Sequence, residues 1–370
     1  MLALAALLQY IIMKNANSAV QSQPIGNAVT RVLFVPVSGP IGIGEYQRSL
    51  FLAQSLTRRH PDWDIRIVVA ETAPFVDEVP LPIFRTTRSP TKVPGEVNDI
   101  LREFRPGVVI FDCSGRKHSL RIASQLGARI IFVSNHRRKR RRGFRISRLR
   151  HTDDHWILPP HFITGDLTAF EQFKLHLLKK PAPIFIGPVF PEAKVSARIP
   201  DRPFFVCCPG GGGNKLQGRQ SGAVFADAAR DVAGKLGIRG VVVTGRNFTG
   251  ELPASSHLQV YQSLPGDELA GLLSGAEFAL VGGGDLLPQS VANRVAPIAT
   301  ACAADQQRRI TAYEQRGLCI SAPPERLAEV AIAAYADGRV SSLAKHLQSS
   351  DIENGLNMCI ERIEMLAGGK

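Results

Sequence analysis

Along the chain, short apolar runs alternate with segments whose apolar residues recur every three or four positions. The run RVLFVPVSG (residues 31–39) is almost continuously apolar and ends in glycine, which predicts a buried strand. In GEYQRSLFLAQSLTRRH, which comes next, Leu50, Leu52, Ala53 and Leu56 lie at helical spacing. DIRIVVAE, GVVIFDCSG and ARIIFVSNH read as further buried strands, and EVNDILREFRP and HSLRIASQLG as helices between them. Short strands alternating with helices predict a parallel sheet with crossover connections.

The texture changes in KKPAPIFIGPVFPEAKVSARIPDRPF (residues 179–204), which carries six prolines and no helical period. It reads as an interdomain linker. Alternation then resumes with the strands FFVCC, GVVVTG, EFALVGGG and APIATA, separated by helical segments and followed by PERLAEVAIAAYADG and a last helical stretch. The expected organisation is α/β: a leader over 1–28, a Rossmann-like domain over 29–180, the linker over 181–203, a second Rossmann-like domain over 204–338, and a helical segment over 339–370. In open parallel sheets ligands bind beyond the carboxyl ends of the strands, so the cleft between two such sheets is the expected site.

The charge narrows the partners. The 370-residue chain carries a net charge of +13, which favours an anionic partner such as a phosphorylated substrate, an acidic membrane or a nucleic acid. The run HRRKRRRGFRISRLRH (residues 136–151) holds nine of the basic residues. It reads as contact with an anionic membrane surface through 137–142, or with an acceptor phosphate; a mobile solvated loop is the plainest alternative. Its single aromatic, Phe144, gives bases nothing to stack on in series, which argues against single-stranded nucleic acid. The six cysteines show no C-x-x-C spacing, so buried reduced thiols in a cytosolic protein are expected, with neither a zinc site nor a redox pair. His151, Asp153, Asp154, His155 and His161 lack diagnostic ligand spacing and read as loop residues, so no metal site is assigned. The apolar start, MLALAALLQYII, is too short to span a bilayer. It reads as a disordered leader, a short interfacial anchor, or sequence preceding a true start at Met13.

Candidate chemistry gathers at predicted strand ends. CCPGGGGNK places Gly210, Gly211, Gly212, Gly213 and Asn214 between a strand and a helical segment. Glycines there let backbone N–H groups approach a phosphate, and a helix N-terminus favours an anion; a flexible turn is the alternative. Walker A spacing is absent. Thr244, Gly245 and Arg246 end a second strand, and Gly283 and Gly284 a third, with Gln289 and Ser290 in the helix beyond. Asp305, Gln306 and Gln307 supply an acid and two amides suited to sugar hydroxyls, or else a helix cap. In the first half, Gly42 and Gly44 open a strand-to-helix turn and Glu45 begins the helix. Glu45 is a candidate general base, with Asp112 at the end of VVIFD the second candidate, or it only complements the helix dipole. Asn135 and His136 join Gly42 and Gly44 as a candidate acceptor loop.

These pieces, in this order, resemble the GT-B glycosyltransferases, specifically the family 28 group. The carriers are the loop at 210–213, the GGG turn before a helix, DQQ with a glycine twelve residues beyond Asp305, and GIGEYQRSLFLA. The last is similar to the family's G-x-G-H-x-x-R-x-x-x-L-A turn, also present in the nucleotide-sugar hydrolase of the pseudaminic acid pathway. The resemblance implies two Rossmann-like domains facing a cleft. It implies a nucleotide-sugar donor, with UDP the expected nucleotide, and an inverting, metal-independent transfer to a lipid-linked, glycan or small-molecule acceptor. From the cysteines and the basic run, the expected location is cytoplasmic, with peripheral attachment to the inner face of the membrane as an extension of it. Glu45 stands where the family has histidine, and Gln289 and Ser290 where it often has a ribose-binding glutamate. Those departures keep two alternatives open: a nucleotide-sugar hydrolase, and an inactive sugar-nucleotide or polyanion-binding protein.

Overall fold

A computed structural model describes residues 29–39, 44–73, 75–194, 198–201, 203–251 and 256–368. The leader and Gly42 lie outside the described residues. The first half runs β1 (Arg31–Pro36), α1 (Gly44–Arg59), β2 (Asp64–Ala70), β3 (Ile83–Thr86), α2 (Pro94–Phe104), β4 (Val108–Asp112), α3 (Lys117–Gln125), β5 (Arg129–Ser134), α4 (Arg137–Gly143), α5 (Ile146–Leu149), β6 (Asp154–Ile157), α6 (His161–Thr164), α7 (Ala169–Leu177) and β7 (Ile184–Phe185). Its seven strands form one parallel sheet in the order β3-β2-β1-β4-β5-β6-β7. Successive strand side chains point to opposite faces. Accordingly Val32 and Phe34 enter one core, while Leu33 and Val35 enter another. Helices cover both faces, which is why these strands read as unbroken apolar runs.

The second half runs β8 (Phe204–Cys208), β9 (Lys215–Leu216), β10 (Arg219–Gln220), α8 (Ser221–Leu236), β11 (Arg239–Val243), β12 (Leu258–Tyr261), α9 (Gly266–Gly275), β13 (Phe278–Gly282), α10 (Leu286–Ala292), β14 (Ala296–Thr300), α11 (Gln306–Glu314), β15 (Ile320–Ser321), α12 (Leu327–Ala336), α13 (Arg339–Leu347) and α14 (Leu356–Gly368). Six strands form a second parallel sheet, β12-β11-β8-β13-β14-β15.

The connecting segment is less free than its prolines imply. Ile184 and Phe185 pair with β6 as the last strand of the first sheet. Phe190 exchanges two hydrogen bonds with Asn354, at 3.3 and 2.8 Å. The final helices divide between the halves. Val340, Leu343 and Leu347 of α13 lie in the second core, whereas Cys359, Ile360 and Ile363 of α14 lie in the first. Polar contacts pin α14 there: Arg362 Nε lies 2.8 Å from Asp154 Oδ2, and Glu364 Oε1 lies 3.0 Å from Arg59 Nε and 2.6 Å from His60 Nε2.

Two expectations about polar residues change. Residues 137–143 form α4, not a mobile loop, and Arg140 is 4% exposed. Its two Nη groups meet Glu171 at 2.8 Å and three backbone carbonyls, while Nε is buried without a partner among the described residues. Asp154 and His155 are strand residues of β6, not loop residues. His155 is buried and bonded to Ser134 Oγ at 2.9 Å; burial first, then Arg140, pushes its pKa down to about 3. Among the described residues no cluster of His, Cys, Asp or Glu could hold a metal ion, and all six cysteines are buried and unpaired. Among the described residues no helix is long and apolar enough to cross a membrane.

Candidate active site

The first-half turn brings two predicted residues together. Glu45 starts α1, and Asn135 follows β5; Asn135 Nδ2 donates to Glu45 Oε1 at 2.9 Å. Asn135 Oδ1 is buried and finds no donor among the described residues. The Glu45 carboxyl is harder to ionise than an ordinary glutamate. Burial is the main cause and the Asp112 charge the next, opposed by Arg48, with Asp285 adding a smaller push. A desolvated carboxylate with a raised pKa at a strand end is suited to accept a proton at neutral pH.

Asp112 does a different job from the one expected of it. Arg48 Nε and Nη2 each reach one Asp112 oxygen at 2.8 Å, and Ser49 Oγ donates at 3.4 Å. Both ion-pair side chains are buried. With its oxygens engaged, Asp112 is poorly placed to take a substrate proton. It instead ties α1, and with it Glu45, to the end of β4.

Across the cleft, Asp285 follows the GGG turn of β13 and comes close to the head of α1. A Cβ on Gly44 would stand 2.8 Å from Asp285 Oδ2, so a side chain there would push the Asp285 carboxylate aside. Arg309 holds Asp285 at 3.7 Å and donates to Gly283 O at 3.2 Å. Further along, Arg246 of the second half meets Glu78 of the first at 3.0 Å. Arg246 thus ties the two halves at the surface and keeps part of its guanidinium exposed.

The glycine loop packs backbone against backbone on the Thr244–Gly245 turn. Gly210 and Gly212 have φ of 96° and 78°, and Gly245 has 100°. A Cβ on Gly212 would lie 1.9 Å from Thr244 O, and one on Gly245 would lie 2.4 Å from Gly210 O. These glycines are therefore required by the fold itself. The short β9–β10 hairpin separates the loop from α8, and the helix's first N–H groups are already used. Ser221 N donates to Asn214 O at 2.7 Å and Gly222 N to Gly212 O at 3.0 Å. The expected helix-terminus contribution is correspondingly reduced. Among the described residues, however, the N–H groups of Gly211 and Gly213 find no acceptor, so they remain available to a ligand.

The other second-half residues divide in the same way. Thr244 is buried, with Oγ1 toward Tyr261 O at 3.4 Å, and Ser290 is buried, with Oγ donating to Leu286 O at 2.9 Å. Both hydroxyls thus already donate to backbone carbonyls, and Gln289 is itself nearly buried. Gln306 Oε1 accepts from Cys302 N at 2.8 Å, which leaves its Nε2 to donate. Asp305 and Gln307 are exposed at the start of α11, and Gly284 lies beside Gln306. His136 caps α4 by accepting from Lys139 N at 3.4 Å. Partial burial, then the cations of Lys139 and Arg142, keep its imidazole below the usual pKa.

Sequence reasoning missed Asp285 and Arg48. The letter after GGG was a visible polar residue at a strand end, but nothing local marks which residue it faces. Arg48 lies three positions after Glu45 and is the arginine of the turn motif, and that was the available signal.

No family model matches the sequence, and no curated protein matches it. Among solved structures the chain is similar to CalG4, the calicheamicin glycosyltransferase, at 15% identity and a TM-score of 0.61, covering 92% of this chain and 99% of that one. MurG of Acinetobacter baumannii matches at 11% identity and a TM-score of 0.58, over 90% and 99% of the two chains. A Listeria monocytogenes protein assigned as a UDP-N-acetylglucosamine 2-epimerase matches at 12% and 0.58, over 93% and 98%. At such identities the likeness speaks to architecture, and with two parallel sheets of seven and six strands this chain has the GT-B fold.

Proposed function

We propose that the protein transfers a glycosyl group from a nucleotide sugar, with a UDP-sugar the first candidate, to an acceptor hydroxyl. The transfer inverts the anomeric carbon and needs no metal ion. The observation that carries this reading is Glu45: a desolvated carboxylate with a raised pKa, at the head of α1, opposite the Asp285 turn of the other domain. Asn135 holds one of its oxygens and leaves the other to act. Glu45 takes the proton of the acceptor hydroxyl, and the hydroxyl oxygen bonds to the anomeric carbon. The bond from that carbon to the diphosphate oxygen breaks on the opposite face, and the electron pair leaves with the nucleoside diphosphate. The free N–H groups of Gly211 and Gly213 take up the charge of the leaving group. Gln306 Nε2 and Asp305 orient the donor sugar. CalG4 is a glycosyltransferase, which supports the reaction class, and the UDP-N-acetylglucosamine in the name of the Listeria protein supports a uridine donor.

A second reading on the same fold puts water in place of the acceptor hydroxyl, as in the nucleotide-sugar hydrolase that shares the first-half turn motif. The test is release of nucleoside diphosphate from a panel of nucleotide sugars, with and without candidate acceptors. Acceptor-dependent release is expected. Equal release without any acceptor supports the hydrolase, and nucleotide binding without release supports an inactive binding protein.

Peripheral membrane attachment belongs to the same proposal, but the surface differs from the expected run. Phe170, Phe173 and Leu177 of α7 are exposed at helical spacing, with Lys174, Lys179 and Lys180 nearby in the chain. The Arg140–Glu171 pair fastens α7 to α4, where Arg137, Arg138 and Arg141 are exposed. An apolar stripe fringed by cations suits an anionic bilayer.

A further inference from the structure

A second polar pocket opens in the first domain, beyond the carboxyl end of β4. It encloses about 250 Å3 and is lined by five cations: Lys92, Arg116, Lys139, Arg142 and Arg148. They come from four separate stretches of chain, so the cluster is a product of the fold. Among the described residues none of the five is paired with a carboxylate. Three are aimed by backbone carbonyls. Lys139 Nζ donates to Cys113 O, Arg116 to Thr91 O at 3.0 Å through Nε, and Arg148 Nε to Gly115 O at 3.3 Å. Arg148 is 9% exposed, a charge nine-tenths withdrawn from water beside other cations. Burial, then Arg145, Arg142 and Arg116, make it easier to deprotonate than a free arginine.

Like charges gathered in a small pocket with no internal counterion repel one another, and an anion bound there relieves the repulsion. Fork-shaped guanidinium groups match phosphate oxygens. The first turn of α3 adds to this: its N-cap, Arg116, makes no side-chain cap. The pocket is too small for a whole nucleotide sugar, and the size suits one phosphate or diphosphate group. Its position matters as well. Cys113, which lines the pocket, is the neighbour of Asp112, whose partner Arg48 lies one turn beyond Glu45.

We infer that this pocket holds a phosphate or diphosphate group of the second substrate, so that the acceptor is a phosphorylated molecule anchored beside the Glu45 turn. Its assignment to the acceptor rests on the transfer reading; its assignment as a phosphate pocket does not. The carrier of the phosphate is either a soluble phosphate ester or a lipid headgroup.

The test is calorimetric titration of the full chain with inorganic pyrophosphate at low salt. The variant is Lys92→Ala/Arg142→Ala, since neither side chain makes a hydrogen bond within the described structure. Losing two charge-assisted contacts should weaken pyrophosphate binding at least about tenfold. Affinity for UDP should stay unchanged. Pyrophosphate binding that the variant leaves intact, or that UDP displaces one for one, overturns the inference, because the anion then sits in the donor cleft. Variant-sensitive binding of glucose 1-phosphate marks a soluble carrier. Variant-sensitive binding to phosphatidylcholine vesicles containing phosphatidic acid marks a lipid carrier. A protein that shows the pyrophosphate result but releases nucleoside diphosphate from no nucleotide sugar keeps the pocket and loses the transfer reading, so the two failures are separable.

Discussion

Replacing Arg48 with methionine isolates what the buried ion pair contributes. Arg48 meets Asp112 through two contacts of 2.8 Å, and the two side chains are 8% and 2% exposed. Methionine fills much of the space but leaves the Asp112 carboxylate in the interior with only Ser49 Oγ, at 3.4 Å. Removing one partner from a pair this deep costs about 3–5 kcal/mol, a large part of a total stability of about 5–15 kcal/mol. Arg48→Met/Asp112→Leu leaves no buried charge and should recover more than half of that loss, because hydrophobic replacement of a whole pair is often nearly neutral. The assay is urea unfolding followed by tryptophan fluorescence. The two tryptophans, Trp63 and Trp156, both lie in the first domain, so the signal reports the domain that carries the pair. A single variant that loses less than about 1 kcal/mol, with no recovery in the double, would refute the reasoning: the pair would then behave like a screened surface bridge. Activity gives a second reading. Arg48 lowers the Glu45 pKa and Asp112 raises it, so in Arg48→Met the acid limb of the rate profile should move to higher pH.

Glu45→Gln should lower turnover about a hundredfold or more. It should also raise the melting temperature at pH 8: a carboxyl whose pKa is raised by folding contributes stability below its unfolded value of 4.5 and loses it as pH rises through the folded value. An equal or lower melting temperature at pH 8 counts against burial of the charge. Gly212→Ala should unfold the loop region, with its Cβ 1.9 Å from Thr244 O, whereas Gly211→Ala meets only Asn247 Nδ2 at 3.4 Å and should fold while weakening nucleotide binding; equal thermal losses in the two would contradict this. Arg140→Ser should cost about 3 kcal/mol or more by stranding Glu171, while Arg137→Ser/Arg138→Ser/Arg141→Ser should leave melting unchanged and reduce sedimentation with anionic vesicles. Unchanged vesicle binding in a triple variant that also carries Phe170→Ser and Phe173→Ser would remove α7 and α4 as the membrane face.

The strands of both sheets were legible because each is buried on two faces. A residue sequence such as VLFV then carries the signal without knowledge of its neighbours. α1 and α8 were legible because helical spacing is a property of sixteen consecutive residues. β3, β7, β12 and β15 were not: they are short outer strands with mostly intermediate burial, and a proline-rich segment masked β7. β6 is fully buried but was read as loop, because Asp154 and His155 break its apolar pattern. The turns at the strand ends were also legible, since glycines and polar residues interrupt the apolar pattern there. What each of those residues does was decided by the tertiary structure. Glu45 meets Asn135 across 90 positions, Arg48 meets Asp112 across 64, and Arg362 meets Asp154 across 208. The basic run looked like one surface and became three things: a buried tie in Arg140, an anion pocket in Lys139, Arg142 and Arg148, and an exposed face in Arg137, Arg138 and Arg141. Periodicity is a local property of backbone geometry, so it can be read from neighbours in the chain. Whether a charge is buried, paired or free depends on which distant segment packs against it, and no local pattern encodes that.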